Sequence, residues 1–312
     1  MLRALTRPLL LGLLLALGAC GRERVADCSL VKVTALPLRM ENGLPLVRVV
    51  VNGTPTWFIA DSGAARSVLT ESARTRLGLP EDQGHLTQTI GVGGATTAWD
   101  ARIDSLVIGG VRFPVERMAV GRFTIGHDPA TAPAGLLGAD ILLAFDLDID
   151  LGKRTLTLYR ARMCPDGQPP WQEAAVAIPG VARENDRLVL PVLLDGAEGM
   201  ALLDTGAQDS VVGSRMAERM GLTPDATAQD PIVGQHGAGP APVEGRRHRF
   251  ARLAVGPTVM HEPELTILPS DGAIGDGVLG QDFMKGRRLW VSFASKQVFI
   301  AAPHTETLVA AR

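Results

Sequence analysis

The sequence predicts an all-β protein made of two copies of one unit related by a pseudo-twofold axis. Three observations carry this. The first is an internal repeat. Ile59-Ala60-Asp61-Ser62-Gly63-Ala64 returns as Leu202-Leu203-Asp204-Thr205-Gly206-Ala207, an offset of 143 residues from Asp61 to Asp204. The pairs Asn52-Gly53 and Asp195-Gly196, Ile90-Gly91 and Val233-Gly234, and Lys153 and Lys296 keep that offset. Gly138 and Gly280 each end an apolar-apolar-Gly triplet and keep it to within one residue. Five landmarks in register describe a duplicated unit of roughly 125–145 residues, and two copies are too few for a solenoid. The second observation is composition: 35 glycines and 21 prolines in 312 residues imply many turns. The third is a succession of short β-rich runs bounded by hairpin signals.

In the first copy, Val31 to Leu38 is the opening strand, and Val47 to Val51 runs into Asn52-Gly53. Asn-Gly between two such runs is a hairpin signal, because the favoured turn needs positive φ at both central residues. Thr56 to Ala60 returns and delivers Asp61, and Gly63 supplies the freedom for a tight loop. Thr70 to Leu77 reads as a helix, with Thr70 as N-cap and Gly78 as its stop. Leu86 to Trp99 is a hairpin tipped by Gly91-Val92-Gly93-Gly94, and Ile103 to Ile108 with Val111 to Val120 form the next, about Gly109-Gly110. Gly121 to Ala134 is a long proline-containing loop. Gly138-Ala139-Asp140 opens a short helix, Ile141 to Ala144; strands Leu147 to Leu151 and Thr155 to Tyr159 close the unit.

The second copy repeats the order. Leu188 to Leu194 turns at Asp195-Gly196 and returns through Met200 to Asp204. A helix spans Ser214 to Met220, a second flexible tip spans Gly234 to Gly239, and a short helix runs Gln281 to Lys285. Strands Leu289 to Phe293 and Gln297 to Ala301 end the unit. The expected organisation is a signal peptide over 1–19, a lipidated linker over 20–29 and a first domain over 30–162. A Pro/Gly-rich linker over 163–174, a second domain over 175–302 and a loose tail over 303–312 follow.

The leader is read from Arg3 and Arg7 ahead of the apolar run Leu9 to Ala19, too short to span a bilayer and shaped as a signal peptide. It ends Leu17-Gly18-Ala19-Cys20, which resembles a bacterial lipobox and implies cleavage before Cys20 and acylation of its sulfur; an ordinary signal peptide with a chance cysteine is the plainer reading. The expected address is the bacterial periplasm, tethered to a membrane through this lipid. Cys28 and Cys164 each precede one of the repeated stretches and either pair in an oxidising compartment or remain two separate thiols. A bridge closing so long a loop would contribute about 4–5 kcal/mol in the chain-entropy model.

A net charge of −2 gives no reason to expect nucleic acid as a partner. Six histidines, His85, His127, His236, His248, His261 and His304, include no His-Glu-x-x-His pair, so no metal or other cofactor is expected. No Gly-x-Ser-x-Gly nucleophile elbow occurs. The basic cluster Arg246-Arg247-His248-Arg249 reads as a solvated strand edge.

What remains is the pair of acids. An aspartate at the end of a buried strand is costly to ionise without hydrogen-bond partners, and two brought face to face would share a proton. Taken singly, Asp-Ser-Gly or Asp-Thr-Gly is also a good turn, so each aspartate alone could be a turn residue; the duplication in register argues against that.

Doubled Asp-Ser/Thr-Gly-Ala, each followed by apolar-apolar-Gly and a glycine-tipped hairpin, resembles the retropepsin-like aspartic proteases, above all bacterial members with two tandem domains in one chain. The resemblance spans nearly all of residues 30–301. It implies two β-barrel domains, with Asp61 and Asp204 as the catalytic pair. Ser62 and Thr205 would cross-link the two loops, and Gly63 and Gly206 would let their backbones approach substrate. Leu136-Leu137-Gly138 and Val278-Leu279-Gly280 would pass beneath the loops. Gly91, Val92, Gly93 and Gly94, with Gly234, Gln235, His236 and Gly237, would form flaps over an extended peptide or protein substrate. The sole tyrosine, Tyr159, lies in a terminal strand, so the flap tyrosine of pepsin-like enzymes is missing. The loop continuations Ala65-Arg66-Ser67 and Gln208-Asp209-Ser210 differ, so the halves are not equivalent. The expected activity is that of a monomeric aspartic endopeptidase of the envelope. A peptide-binding pseudoprotease without turnover, and a homodimer in which each repeat pairs with a second chain, are the alternatives.

Overall fold

The computed structural model describes residues 28–126, 128, 130–162, 167–182, 187–269 and 274–301. The leader, Cys20, Cys164 and the tail lie outside these described residues. Cys28 is disulfide-bonded.

The first half runs β1 (Ser29–Pro37), β2 (Arg39–Glu41), β3 (Leu44–Val51), β4 (Thr54–Ala60), β5 (Val68–Thr70) and α1 (Glu71–Arg76). It continues through β6 (Glu81–Gly91), β7 (Gly94–Arg102), β8 (Leu106–Ile108), β9 (Val111–Phe113), β10 (Arg117–Gly121) and β11 (Gly135–Leu137). Helix α2 (Ala139–Leu142), β12 (Asp146–Asp150) and β13 (Thr155–Arg162) complete it. The second half runs β14 (Ala175–Pro179), β15 (Val181–Ala182), β16 (Leu188–Leu194), β17 (Ala197–Leu203), β18 (Val211–Gly213) and α3 (Ser214–Arg219). Then come β19 (Ile232–Gln235), β20 (Val243–Arg249), β21 (Arg252–Val255), β22 (Thr258–His261), β23 (Glu264–Leu268) and β24 (Gly277–Leu279). Helix α4 (Gln281–Met284), β25 (Arg288–Ser292) and β26 (Gln297–Ala301) end the described chain.

Two sheets share one topology. The first is ordered β6-β7-β10-β5-β11-β4-β3-β8-β9 and the second β19-β20-β23-β18-β24-β17-β16-β21-β22. A third, six-stranded sheet, β1-β13-β12-β25-β26-β14, takes strands from both halves. Its central pair, β12 and β25, is antiparallel across the pseudo-twofold, with Leu147 opposite Val291 and Ile149 opposite Leu289. These four side chains are buried in the one large core that extends through both halves.

Local chemistry explains the repeated hairpins. In β3, Val47, Val49 and Val51 alternate inward and are essentially inaccessible, as a half-buried strand requires. Asn52 and Gly53 have φ of 46° and 81°, and Asp195 and Gly196 have 47° and 87°, the left-handed pair of a tight hairpin turn. The Asn52 side-chain oxygen also accepts the N–H groups of Asp104 and Ser105, and the Asp195 carboxylate those of Ala251 and Arg252. Each turn residue thus fixes the next hairpin to its own. Helix α1 starts as expected, with Thr70 Oγ1 accepting from Ala73 N at 3.2 Å.

The run Val111 to Val120 differs from expectation. Val111–Phe113 pairs with β8, but the chain then leaves, and Arg117–Gly121 joins β5 and β7 instead. Pro114, which has no N–H to give a ladder, sits at the break. The linker is not loose where described. Trp171 Nε1 donates to Asp148, and Arg288 bridges Asp148 and Glu173, so residues 171–173 lie against the shared sheet. Among the described residues no helix is long and apolar enough to cross a membrane.

Candidate active site

Strands β4 and β17 run parallel to β11 and β24 and end on Asp61 and Asp204. Asp61 N donates to Leu137 O and Asp204 N to Leu279 O, both at 3.0 Å, so each acid emerges at a fixed height above its neighbouring strand. The two loops then lock together. Thr205 Oγ1 donates to Ala60 O (2.6 Å) and accepts from Ser62 N (3.0 Å). Reciprocally, Ser62 Oγ donates to Leu203 O (2.9 Å) and accepts from Thr205 N (3.1 Å). Four hydrogen bonds between buried groups 141–145 residues apart hold the halves in one register.

That lock brings the acids together. A Cβ added at Gly63 would lie 2.2 Å from Asp204 Cγ, and one at Gly206 2.6 Å from Asp61 Cγ. Each glycine is therefore the wall against which the opposite carboxyl packs, and any larger residue would displace it. The carboxyls are hydrogen-bonded to each other. Burial first, then the charge of Asp204 and the hydrogen bond with it, push Asp61 well above the usual carboxylate range. Burial also raises Asp204, against hydrogen bonds from Asp61 and from the N–H groups of Gly206, Ala207 and Gly63 that lower it. Both carboxyls are thus held above the usual range, Asp61 the more strongly, as two buried acids placed to share a proton require.

A further set of residues supports each loop, and the motif reading missed it. Ser67 donates N–H and Oγ–H to Asp140 Oδ1 (2.8 and 2.7 Å) and accepts from Gly138 N (2.9 Å). Ser210 does the same with Asp282 Oδ1 (2.9 and 2.7 Å) and Gly280 N (2.9 Å). A signal was present: Ser67 and Ser210 keep the 143-residue offset, and Asp140 and Asp282 keep it to within one. Two contacts have no counterpart in the other half. Gln281 Nε2 donates to Thr205 O at 2.9 Å, where the first half has Ala139, and Arg187 Nη1 donates to Gly63 O at 3.2 Å, where the second presents Leu44.

The glycine-rich tips also meet. Gly91 ends β6, Val92 and Gly93 form the turn, and Gly94 opens β7 with φ of 104°. Gly234 and Gln235 end β19, and His236 and Gly237 begin the longer second tip, with His236 exposed. Gly93 N donates to Ala238 O (2.9 Å) and Ala241 N to Gly93 O (3.2 Å). Val92 packs against the apolar cluster of the second half that contains Val189, Leu202 and Val278, while Ala238 packs against that of the first, which contains Leu46, Ile59 and Phe123. Each tip thus crosses to the partner half.

Two pseudo-symmetric all-β halves, an aspartate from each on a cross-linked loop, and a shared six-stranded sheet define the two-domain, aspartic-proteinase-like fold. Comparison with known proteins agrees. A model described as aspartyl protease matches residues 47–141 and again 190–283, and the chain belongs to that family. It is similar in fold to the crystal structure of an aspartic proteinase from Irpex lacteus, at 11% identity and a TM-score of 0.51, over 91% of this chain and 100% of that one. No curated protein matches.

Proposed function

We propose that the protein is an aspartic endopeptidase that hydrolyses peptide bonds of envelope proteins or peptides. The observation that supports this most directly is the meeting of the Asp61 and Asp204 carboxyls, both raised in pKa, at the junction of the cross-linked loops. In the proposed step, a water held by both carboxyls gives a proton to Asp204 as its oxygen attacks the scissile carbonyl carbon. Asp61 gives its proton to the carbonyl oxygen, so charge never accumulates on the tetrahedral carbon's substituents. As the C–N bond breaks, Asp204 gives its proton to the leaving nitrogen and Asp61 takes one back from a hydroxyl of the diol, which leaves a carboxylic acid and restores the dyad. An extended peptide would lie beneath the crossed tips, bonded along its backbone as an added strand, so the tips must part to admit it. Arg3, Arg7, the run Leu9 to Ala19 and Cys20 support a lipid-anchored periplasmic location.

The deciding experiment compares the wild type with Asp204→Asn, which keeps shape and hydrogen bonds but cannot act as the base. Peptide cleavage should fall by roughly 10²–10⁴-fold, the usual worth of a general base, with the folded state intact by circular dichroism. Undiminished turnover would refute the assignment.

A further inference from the structure

Beside the first loop, and outside the dyad, a cavity of about 330 Å³ is lined by Arg66 and Ser67 of the loop, Asp100 of β7, Arg117 and Met118 of β10, and Asp140. Asp100 is only 6% exposed, and its Oδ1 has no hydrogen-bond partner among the described residues. Its other oxygen lies 3.9 Å from Arg117 Nε, an ion-pair distance too long for a hydrogen bond. Buried carboxylate oxygens are costly unless donors reach them. Asp140, on the same wall, is exposed, and Ser67 gives two donors to one of its oxygens. Arg66 is exposed and has no ion-pair partner among the described residues, and Arg117 is free but for the long contact with Asp100. The cavity therefore offers two carboxylates, Asp100 and Asp140, in its wall and two guanidinium groups beside it.

The second half makes the same positions differently. Ala119 pairs with Val68 and Thr266 with Val211, and Arg117 pairs with Arg102 as Glu264 does with Arg249. The equivalents of Arg66, Asp100 and Arg117 are thus Asp209, Arg247 and Glu264: all three charges are reversed. Glu264 is moreover neutralised by Arg249 at 2.9 Å. A duplicated fold that keeps Asp140 as Asp282 but inverts the three other charges at one place has been fitted at its two ends to different groups.

We propose that the first-half cavity is a substrate subsite for a carboxylate with an adjacent N–H: the carboxylate on Arg66 and Arg117, the N–H on Asp100. A C-terminal residue carries that pair of groups, and so does an internal acidic residue. The subsite rests on the peptidase reading, because Arg66 lies five residues after Asp61, on the same loop. It fixes the direction in which a peptide lies across the dyad.

The test needs no turnover. N-acetylglycine, with one N–H and one carboxylate, and N-acetylglycinamide, its neutral analogue, are titrated against the full chain by ligand-observed NMR. The acid should bind about tenfold tighter than the amide, the worth of a charge-assisted contact at a part-exposed site. Arg66→Ala and Arg117→Ala should each reduce that ratio towards one, while the near-isosteric Asp100→Asn, which faces the N–H that both compounds carry, should weaken the amide at least as much as the acid. N-acetylaspartate amide, run in parallel, separates the two sources: tighter binding than N-acetylglycine assigns the site to an internal acidic side chain, weaker binding to a chain terminus. Equal binding of acid and amide, a ratio untouched by the two arginine substitutions, or amide binding untouched by Asp100→Asn, overturns the proposal. A chain that binds the acid yet cleaves no peptide would retire the peptidase reading and leave the subsite standing.

Discussion

The two halves share a skeleton and differ in charge. Each loop is built alike: an aspartate on a parallel strand pair, a hydroxyl locked to the opposite loop, a serine-aspartate clasp beneath. Yet Arg66, Asp100 and Arg117 of the first half stand where the second has Asp209, Arg247 and Glu264. The shared sheet repeats the pattern. At the offset that relates Asp140 to Asp282, Asp146 in β12 corresponds to Arg288 in β25. The cross-links and the serine-aspartate clasps that position the acids have stayed symmetric, while side chains that face ligand or linker have diverged. Geometry at the dyad tolerates no drift, because each glycine wall lies against the opposite carboxyl; the periphery tolerates much.

The largest expected effect tests the symmetric part. Asp61→Asn and Asp204→Asn should cost activity alike, each by roughly 10²–10⁴-fold in kcat, because the shared proton needs both carboxyls. Activity surviving in one of the two would mean that one half alone carries the chemistry. Both substitutions should also stabilise the fold at neutral pH. The sign follows from the raised values: the native pair binds protons more tightly than the unfolded chain, so stability falls as pH rises from the ordinary aspartate value through the raised ones. Thermal melts of the wild type and the variants across that range check the direction.

The next effect tests the asymmetric part. Burial raises Asp146 from 3.8 to about 6, although the Ser292 hydroxyl donates to it and lowers the value. One of its oxygens has no partner, and neither has the buried Trp290 Nε1. Because the folded value is the higher one, stability is lost as pH rises from 3.8 through about 6, and the whole penalty, about 3 kcal/mol, is present above that. Asp146→Asn keeps a hydrogen-bond acceptor for Ser292 and removes the charge. It should leave stability at acid pH nearly unchanged and raise it above pH 6, flattening the profile in urea melts. A profile of unaltered slope would show that Asp146 is ionised at no such cost.

A smaller pair of effects returns to the symmetry. Ser67→Ala and Ser210→Ala each delete one donor to an aspartate and one acceptor for a glycine N–H. Each should cost about 1–3 kcal/mol in stability, equally in the two halves, since partners and distances match. A cost confined to one half would show that the clasps are not equivalent in energy even where they are in geometry.

How much of this was legible in the sequence depends on the range of the force involved. Asn52-Gly53 and Asp195-Gly196 were legible as turns because steric demand on φ is local. The dyad was legible because duplication put two copies of a short motif in one chain. The clasps were legible in principle, since Ser67, Ser210, Asp140 and Asp282 keep the repeat offset, but their meaning needs the loop and the helix after it to be adjacent in space. Pro114 carried the break in Val111 to Val120, and the continuous apolar pattern outweighed it. The six-stranded sheet could not be read. Nothing in β12 or β25 alone says that they pair across about 140 residues; that follows from the docking of the halves. The charge reversal was equally hidden, because Asp100 matches Arg247 only through strand register.

Arg187 gives the smallest effect and the finest test. Its Nη1 donates to Gly63 O, while its Nε is buried without a partner. Leu44, its counterpart, offers Gly206 no such donor. Arg187→Leu makes the two loops alike at this point. It removes a hydrogen bond from a charged donor and also an unsatisfied N–H, contributions of opposite sign and each about 1–3 kcal/mol, so net stability should change by only about 1 kcal/mol. With the loop still held by the Ser62 and Thr205 hydrogen bonds, kcat should stay within about tenfold of wild type, and KM should carry the change as the Gly63 carbonyl becomes free to accept from a bound peptide. A fall in kcat on the scale of Asp204→Asn would instead make the arginine part of the chemistry, and the symmetric account of the two loops would then fail at its centre.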